Sequence, residues 1–182
     1  MKKALLLFLF FLIVNNCFSQ LTKGSFLIGG GISFQSARYT DGGNTTITFL
    51  AMPDAGYFFI DKLAGGIKSS FGYKSNDGDS RLDILAGPFA RYYFLPQDKK
   101  VNIFFEGNFM LGTEKYENFD ADPKTEYGVA CGPAFFINRY IAVEALLSWR
   151  SLKYKDDTGR YNTFGMSIGF QLHLQPKRAT GK

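Results

Sequence analysis

The sequence predicts an all-β fold, an eight-stranded antiparallel up-and-down transmembrane β-barrel, and three observations predict it. Apolar residues recur with a period of two in eight runs between residues 24 and 174, with no long run at the helical period. Connections between the runs alternate between short ones and longer, more polar ones. Every mid-strand charge falls on the face opposite the large apolar side chains.

In chain order, the first 19 residues read as a secretory signal outside the fold. Lys2 and Lys3 precede the apolar stretch Ala4–Val14, which is too short to span a membrane, and "NNCFS" closes with small residues before a cleavage expected ahead of Gln20. A lipoprotein start at Cys17 is the alternative, although Asn15 and Asn16 stand where lipoproteins usually carry small residues. Removing 19 of 182 residues leaves 163, and losing two lysines takes the net charge from +5 to +3. That length suits one domain, residues 20–174, followed by a short polar tail, 175–182. Cys131 is then without an intramolecular partner, so the exported chain has no disulfide framework, and it reads as a small apolar strand residue. The charge is too weak and scattered for a nucleic-acid partner.

The first strand, "GSFLIGGGISFQ" (24–35), sets Phe26, Ile28, Ile32 and Phe34 against Ser25, Ser33 and Gln35. The second (45–59) carries Asp54, the third (63–74) Lys68, and the fourth (81–94) Asp83 and Arg91. In the fifth (101–114), Val101, Ile103, Phe105, Phe109 and Leu111 oppose Asn102, Glu106 and Asn108. The sixth is "TEYGVACGPAFFI" (125–137). The seventh (140–154) holds Glu144 and Arg150, six residues apart. On a helix that spacing, about 600°, would scatter them; on a strand both share a face opposite Ile141, Val143, Ala145, Leu147 and Trp149. In the eighth (163–174), Phe164, Met166, Ile168, Phe170, Leu172 and Leu174 oppose Ser167, Gln171 and His173. The connections at 60–62, 95–100 and 138–139 are short, whereas those around Asp41, Asp77, Asp120 and Asp157 are mostly longer and more polar.

Three features turn the apolar face outward, into lipid. The polar face is rich in glycine, which weakens a solvated strand but suits a narrow, filled lumen. Phe is more abundant, at 16 of the chain's 20 after the signal segment is removed, than a soluble core of this size needs. Aromatic residues cluster at both strand ends, with Tyr57, Phe59, Tyr92, Phe94, Phe135 and Tyr140 near the short turns and Tyr73, Tyr127 and Trp149 toward the long loops. Asp54, Lys68, Asp83, Arg91, Glu106, Glu144 and Arg150 then project into the lumen, four acids against three bases, as a structural ionic network. An eight-stranded interior is just wide enough for side chains to fill, so a plugged lumen is expected. Pro53, Pro88 and Pro133 lie inside even-numbered strands and should mark bulges or local breaks in pairing. A bulge would slip parity by one, misplacing Arg91 first and turning Tyr93 outward in place of Tyr92.

Signal segment, eight amphipathic strands, alternating turns and a lumen of mixed charge together resemble the small OmpA/OmpX-type outer-membrane β-barrels of Gram-negative bacteria. "SIGFQLHL" resembles the C-terminal assembly signal of such barrels at Ser167, Gly169, Leu172 and Leu174, although the chain continues through "QPKRATGK". The resemblance implies residence in the outer membrane, with termini on the periplasmic side and loops outside. It also implies outer-membrane lipids and the barrel-assembly machinery as partners, together with an unidentified surface or envelope protein.

Chemistry is weakly indicated. The single histidine, His173, lies at the short-turn end, six residues from Ser167 and roughly 20 Å along the strand. It reads as a luminal or interfacial polar residue, so no enzyme is expected. "DADPK" and "NDGDS" are oxygen-rich but lack the Ca²⁺-loop spacing, and "GGGIS" lacks the dinucleotide pattern, so no metal or cofactor is expected. The favoured role is a structural or adhesive scaffold. Its rivals are a narrow channel, a subunit of an envelope or secretion machine, and a soluble lipocalin-like binder with the Phe-rich face turned inward.

Overall fold

The computed structural model describes residues 21–38, 45–76, 79–116 and 122–175. The expected signal segment, the loop positions Asp41, Asp77 and Asp120, and tail residues 176–182 lie outside the described residues. The strands are β1 (Phe26–Arg38), β2 (Thr45–Ile60), β3 (Leu63–Asn76), β4 (Asp79–Tyr93), β5 (Val101–Tyr116), β6 (Asp122–Phe136), β7 (Ile141–Tyr154) and β8 (Tyr161–Leu174). Each pairs antiparallel with its neighbours in sequence, and β1 pairs with β8 to close the barrel. The expected fold is the observed one. Several strands run two or three residues further toward the long loops than alternation predicts, because there charges no longer sort by face.

The facing follows from the same alternation. Phe26, Ile28, Ile32 and Phe34 on β1 are exposed, as are Val101, Ile103, Phe105, Phe109 and Leu111 on β5 and Phe164, Met166, Ile168, Phe170, Leu172 and Leu174 on β8. The outside of the barrel is thus a continuous apolar surface, of the kind only lipid or a partner covers well. Cys131 also faces outward and is free.

The prolines break pairing without slipping it. Between β2 and β3 the ladder resumes from Ala51–Phe71 at Asp54–Lys68 in the same register, skipping Pro53. Between β4 and β5 it skips from Ala86–Leu111 to Phe89–Asn108, and between β6 and β7 from Cys131–Leu147 to Ala134–Glu144. Each proline stays aligned with the preceding strand and lacks an N–H only toward the following one. Parity therefore holds: Arg91 and Tyr93 are buried and Tyr92 is exposed. The one register shift beside these strands lies between Phe58 and Ile60, next to the β2–β3 turn.

One expectation is corrected inside the lumen. Parity sorted the charges, but the inner face also carries large apolar residues that small-and-ionic filling did not anticipate. Leu27, Phe58, Tyr93, Phe104, Phe136 and His173 are buried at the short-turn end. Leu21, ahead of β1, is buried with them. The segment before β1 folds under that end: the Leu21 carbonyl accepts from Lys62 N–H and Gln97 Nε2, each at 2.8 Å, and Asp61 accepts from Lys23 N–H at 2.8 Å.

Candidate functional site

The lumen is layered from the short turns upward. At the bottom the His173 ring lies 5.3 Å from Phe136, 5.9 Å from Phe58 and 6.1 Å from Tyr93, centroid to centroid. Neither ring nitrogen of His173 has a hydrogen-bond partner among the described residues. This is an apolar plug containing a histidine. Ser167, six residues along β8 and on the same face, is not brought to it.

Above the plug sits a deep ionic layer centred on Arg91 of β4. Its Nε and Nη2 donate to Glu106 Oε2 at 2.8 and 2.6 Å, and Nη1 donates to both Glu144 oxygens at 3.1 Å. Asp54 Oδ2 lies 3.6 Å from Nη2. Lys68 donates to Glu106 and stands 4.0 Å from Asp54. Three carboxylates face two cations here, and neutral donors supplement the pairing: Gln171 Nε2 reaches both Asp54 oxygens at 3.1 and 3.0 Å, and Tyr93 Oη lies 3.4 Å from Glu144. The guanidinium also stacks 4.7 Å from the Phe104 ring centroid. Five of the seven expected charges, Asp54, Lys68, Arg91, Glu106 and Glu144, meet in this layer.

Asp83 and Arg150 do not join it. They belong to a second layer nearer the loops, separated by Leu85, Phe89 and Met110, and each keeps 27 % of its side chain exposed. Lys124 Nζ lies 2.6 Å from Asp83 and 3.6 Å from Glu114, Tyr154 Oη bonds Glu114, and Arg150 lies 3.6 Å from Glu126. Sequence reasoning missed Glu114, Lys124 and Glu126 because they stand at the loop-side strand ends, where Lys124 reads as loop. It placed Tyr93 and Gln171 on the inner face but not in the ionic network, because only charged residues were assigned to it. Above this layer a polar vestibule of about 580 Å³ opens, lined by Lys74, Arg81, Asp122, Glu126, Arg150 and Asp157 among others.

The residues expected as an assembly signal lie on β8. Ser167 and Gly169 face inward, whereas Leu172 and Leu174 are 42 % and 40 % exposed on the outer face. A Cβ at Gly169 would stand 3.1 Å from Leu146 Cδ1 and 3.2 Å from the Gly30 carbonyl oxygen, so packing there is tight. Among the described residues no group of histidine, cysteine or carboxylate side chains is arranged to hold a metal ion.

Neither protein-family models nor curated protein sequences match the chain. Solved structures do. The N-terminal β-barrel domain of OprF from Pseudomonas aeruginosa superposes with a TM-score of 0.58 at 15 % identity, covering 84 % of this chain and 98 % of that one. Neisserial surface protein A gives 0.61 at 14 % identity, covering 82 % and 97 %. The fold is that of the small outer-membrane β-barrels. OprG, an outer membrane protein of Pseudomonas aeruginosa, shares it with a TM-score of 0.54 at 11 % identity, over 87 % of this chain and all of its own length. At these identities the likeness shows the strand framework alone.

Proposed function

We propose that the chain is an integral outer-membrane barrel with a non-conducting lumen, exported by its N-terminal signal, and that its role is structural. It anchors in the outer membrane and presents its long loops to a surface or envelope partner, without turnover. One observation carries this reading: an apolar plug and a buried, interlinked ionic layer lie in series across the lumen, below a vestibule at the loop end. An ion crossing would have to displace the plug aromatics and break Arg91 from Glu106 and Glu144, leaving charges buried and uncompensated. Outer-membrane lipids cover the apolar exterior. Ser167, Gly169, Leu172 and Leu174 serve as the strand read by the barrel-assembly machinery.

Fractionation of cells expressing the full-length protein, with gel migration before and after boiling, tests the membrane reading. Outer-membrane recovery with a heat-dependent shift is expected, and a soluble protein without the shift would turn the apolar face inward. Planar-bilayer recording tests the lumen. No unitary conductance is expected, and a steady single-channel current would replace the scaffold with a pore.

A further inference from the structure

The barrel wall is not closed along its whole length. β1 and β8 pair over seven residue pairs, from Phe26–Leu174 to Ile32–Ile168. The other seams run eleven to fourteen. The same register continued would set Ser33 opposite Ser167 and Phe34 opposite Met166, but the ladder stops first. Beyond that point β1 remains paired with β2, and β8 with β7. Each strand thus turns one bare backbone edge toward the other.

Burial marks the same place. Phe164 and Met166, at 76 % and 80 %, are the most exposed large apolar residues described. Thr163, on the inward parity, is exposed too, whereas Gly169, Gln171 and His173 lower on β8 are buried. A cavity of about 80 Å³ lies at the seam, lined by inward-facing Ser33, Thr48, Ser148 and Arg150 and by outward-facing Phe164 and Met166. Residues of both faces thus line one cavity at the unpaired stretch. Arg150 and Thr163 also line the vestibule, so the seam cavity and the loop-side lumen share these two side chains.

We propose that this seam is a lateral binding site for a single-chain anionic amphiphile of the fatty-acid class. The carboxylate sits at Arg150, and the hydrocarbon leaves through the seam over Phe164 and Met166. Three arguments select this occupant. Bare backbone N–H groups facing hydrocarbon are costly, and a carboxylate beside them and the Thr163 hydroxyl gives them an acceptor. An inserted strand would need roughly 10 Å between the two edges, twice the strand spacing, whereas the cavity admits one methylene chain or a few waters. Arg150 lines the seam cavity, meets Glu126 at 3.6 Å and stays part-exposed, whereas Arg91 is enclosed by Asp54, Glu106 and Glu144.

The site rests on the membrane-embedded reading, so the experiment separates the two. Trp149, the single tryptophan, pairs with Phe164 beside the seam. Its fluorescence is titrated with 9,10-dibromostearate in the full barrel reconstituted into phosphatidylcholine vesicles, with palmitate as competitor. Saturable quenching that palmitate displaces is expected. Apparent affinity should fall at least tenfold in Arg150→Gln and recover in part in Arg150→Lys. It should also be lost when Ser33→Cys and Ser167→Cys are oxidised across the seam in a Cys131→Ser background, and return on reduction. Quenching that never saturates, or that persists unchanged in Arg150→Gln or the cross-linked barrel, means partition into the bilayer and overturns the proposal. Heat-dependent migration is recorded for every variant. An unshifted wild type overturns the membrane reading, while a shifted barrel with unsaturable quenching overturns this site alone.

Discussion

Arg91 shows what a single side chain does in this lumen. It is 1 % exposed and within 3.6 Å of three carboxylates from three other strands. Arg91→Met removes the cation, leaving Glu144 buried with only Tyr93 beside it and Glu106 with Lys68 alone. Breaking a buried pair from one side costs about 3–5 kcal/mol. A urea titration of the reconstituted barrel should show a loss of that size, and a change below about 1 kcal/mol would mean that water already reaches the layer. The glycines make a matched test. A Cβ on Gly132 would stand 1.8 Å from the Ala145 carbonyl oxygen, while one on Gly165 would meet only Ser148 Oγ, at 3.5 Å. Gly132→Ala should lower the thermal midpoint of unfolding by several degrees and Gly165→Ala leave it near wild type; equal midpoints would remove the close approach as the reason for glycine. Arg91, Glu106 and Glu144 were legible from parity because a charge on a strand declares its face. The approach of the Ala145 carbonyl to Gly132 was not, because it depends on where the neighbouring strand lies.

At the scale of elements, prolines and the N-terminal segment divide what alternation can and cannot show. The sequence placed a break at each of Pro53, Pro88 and Pro133 but left open whether parity would slip. It does not, because the missing N–H points to one neighbour only and the other ladder holds the strand in phase. The segment at Leu21 carried no periodic signal, yet it closes the short-turn end, with its carbonyl held by Lys62 and Gln97. Leu21→Ala should destabilise the barrel by about 2–5 kcal/mol, the range for a fully buried leucine, measured by the same urea titration. An unchanged midpoint would show that the plug is complete without this segment. Strand ends near the loops were read short, which lost Lys124, while Glu114 and Glu126 stood at the loop-side ends of what was read as strand and were not counted among the mid-strand charges.

For the whole molecule, the orientation of the apolar face makes a prediction free of any ligand. Trp149 faces outward beside Tyr127, 5.8 Å between ring centroids, toward the loop end of β7. In vesicles of brominated phosphatidylcholine, bromine near the headgroup should quench it more strongly than bromine near the chain ends. Equal quenching, or none, would remove the loop-side aromatic girdle from the membrane interface.

Eight strands, their antiparallel order, the outward apolar face and the inward set of charges were all legible in the chain before any tertiary contact was known. Each of these depends on the two-residue period of a strand and on turn composition, which are local properties of the chain. Tertiary structure alone decided how the seven expected charges divide between a deep layer around Arg91 and an upper layer around Lys124. It alone set Phe58, Tyr93, Phe104 and His173 into one plug with Leu21, and left β1 and β8 unpaired beyond Ile32 and Ile168. Those features depend on the height at which each residue enters the lumen. Height is fixed by register and stagger around the closed barrel, and no single strand encodes it.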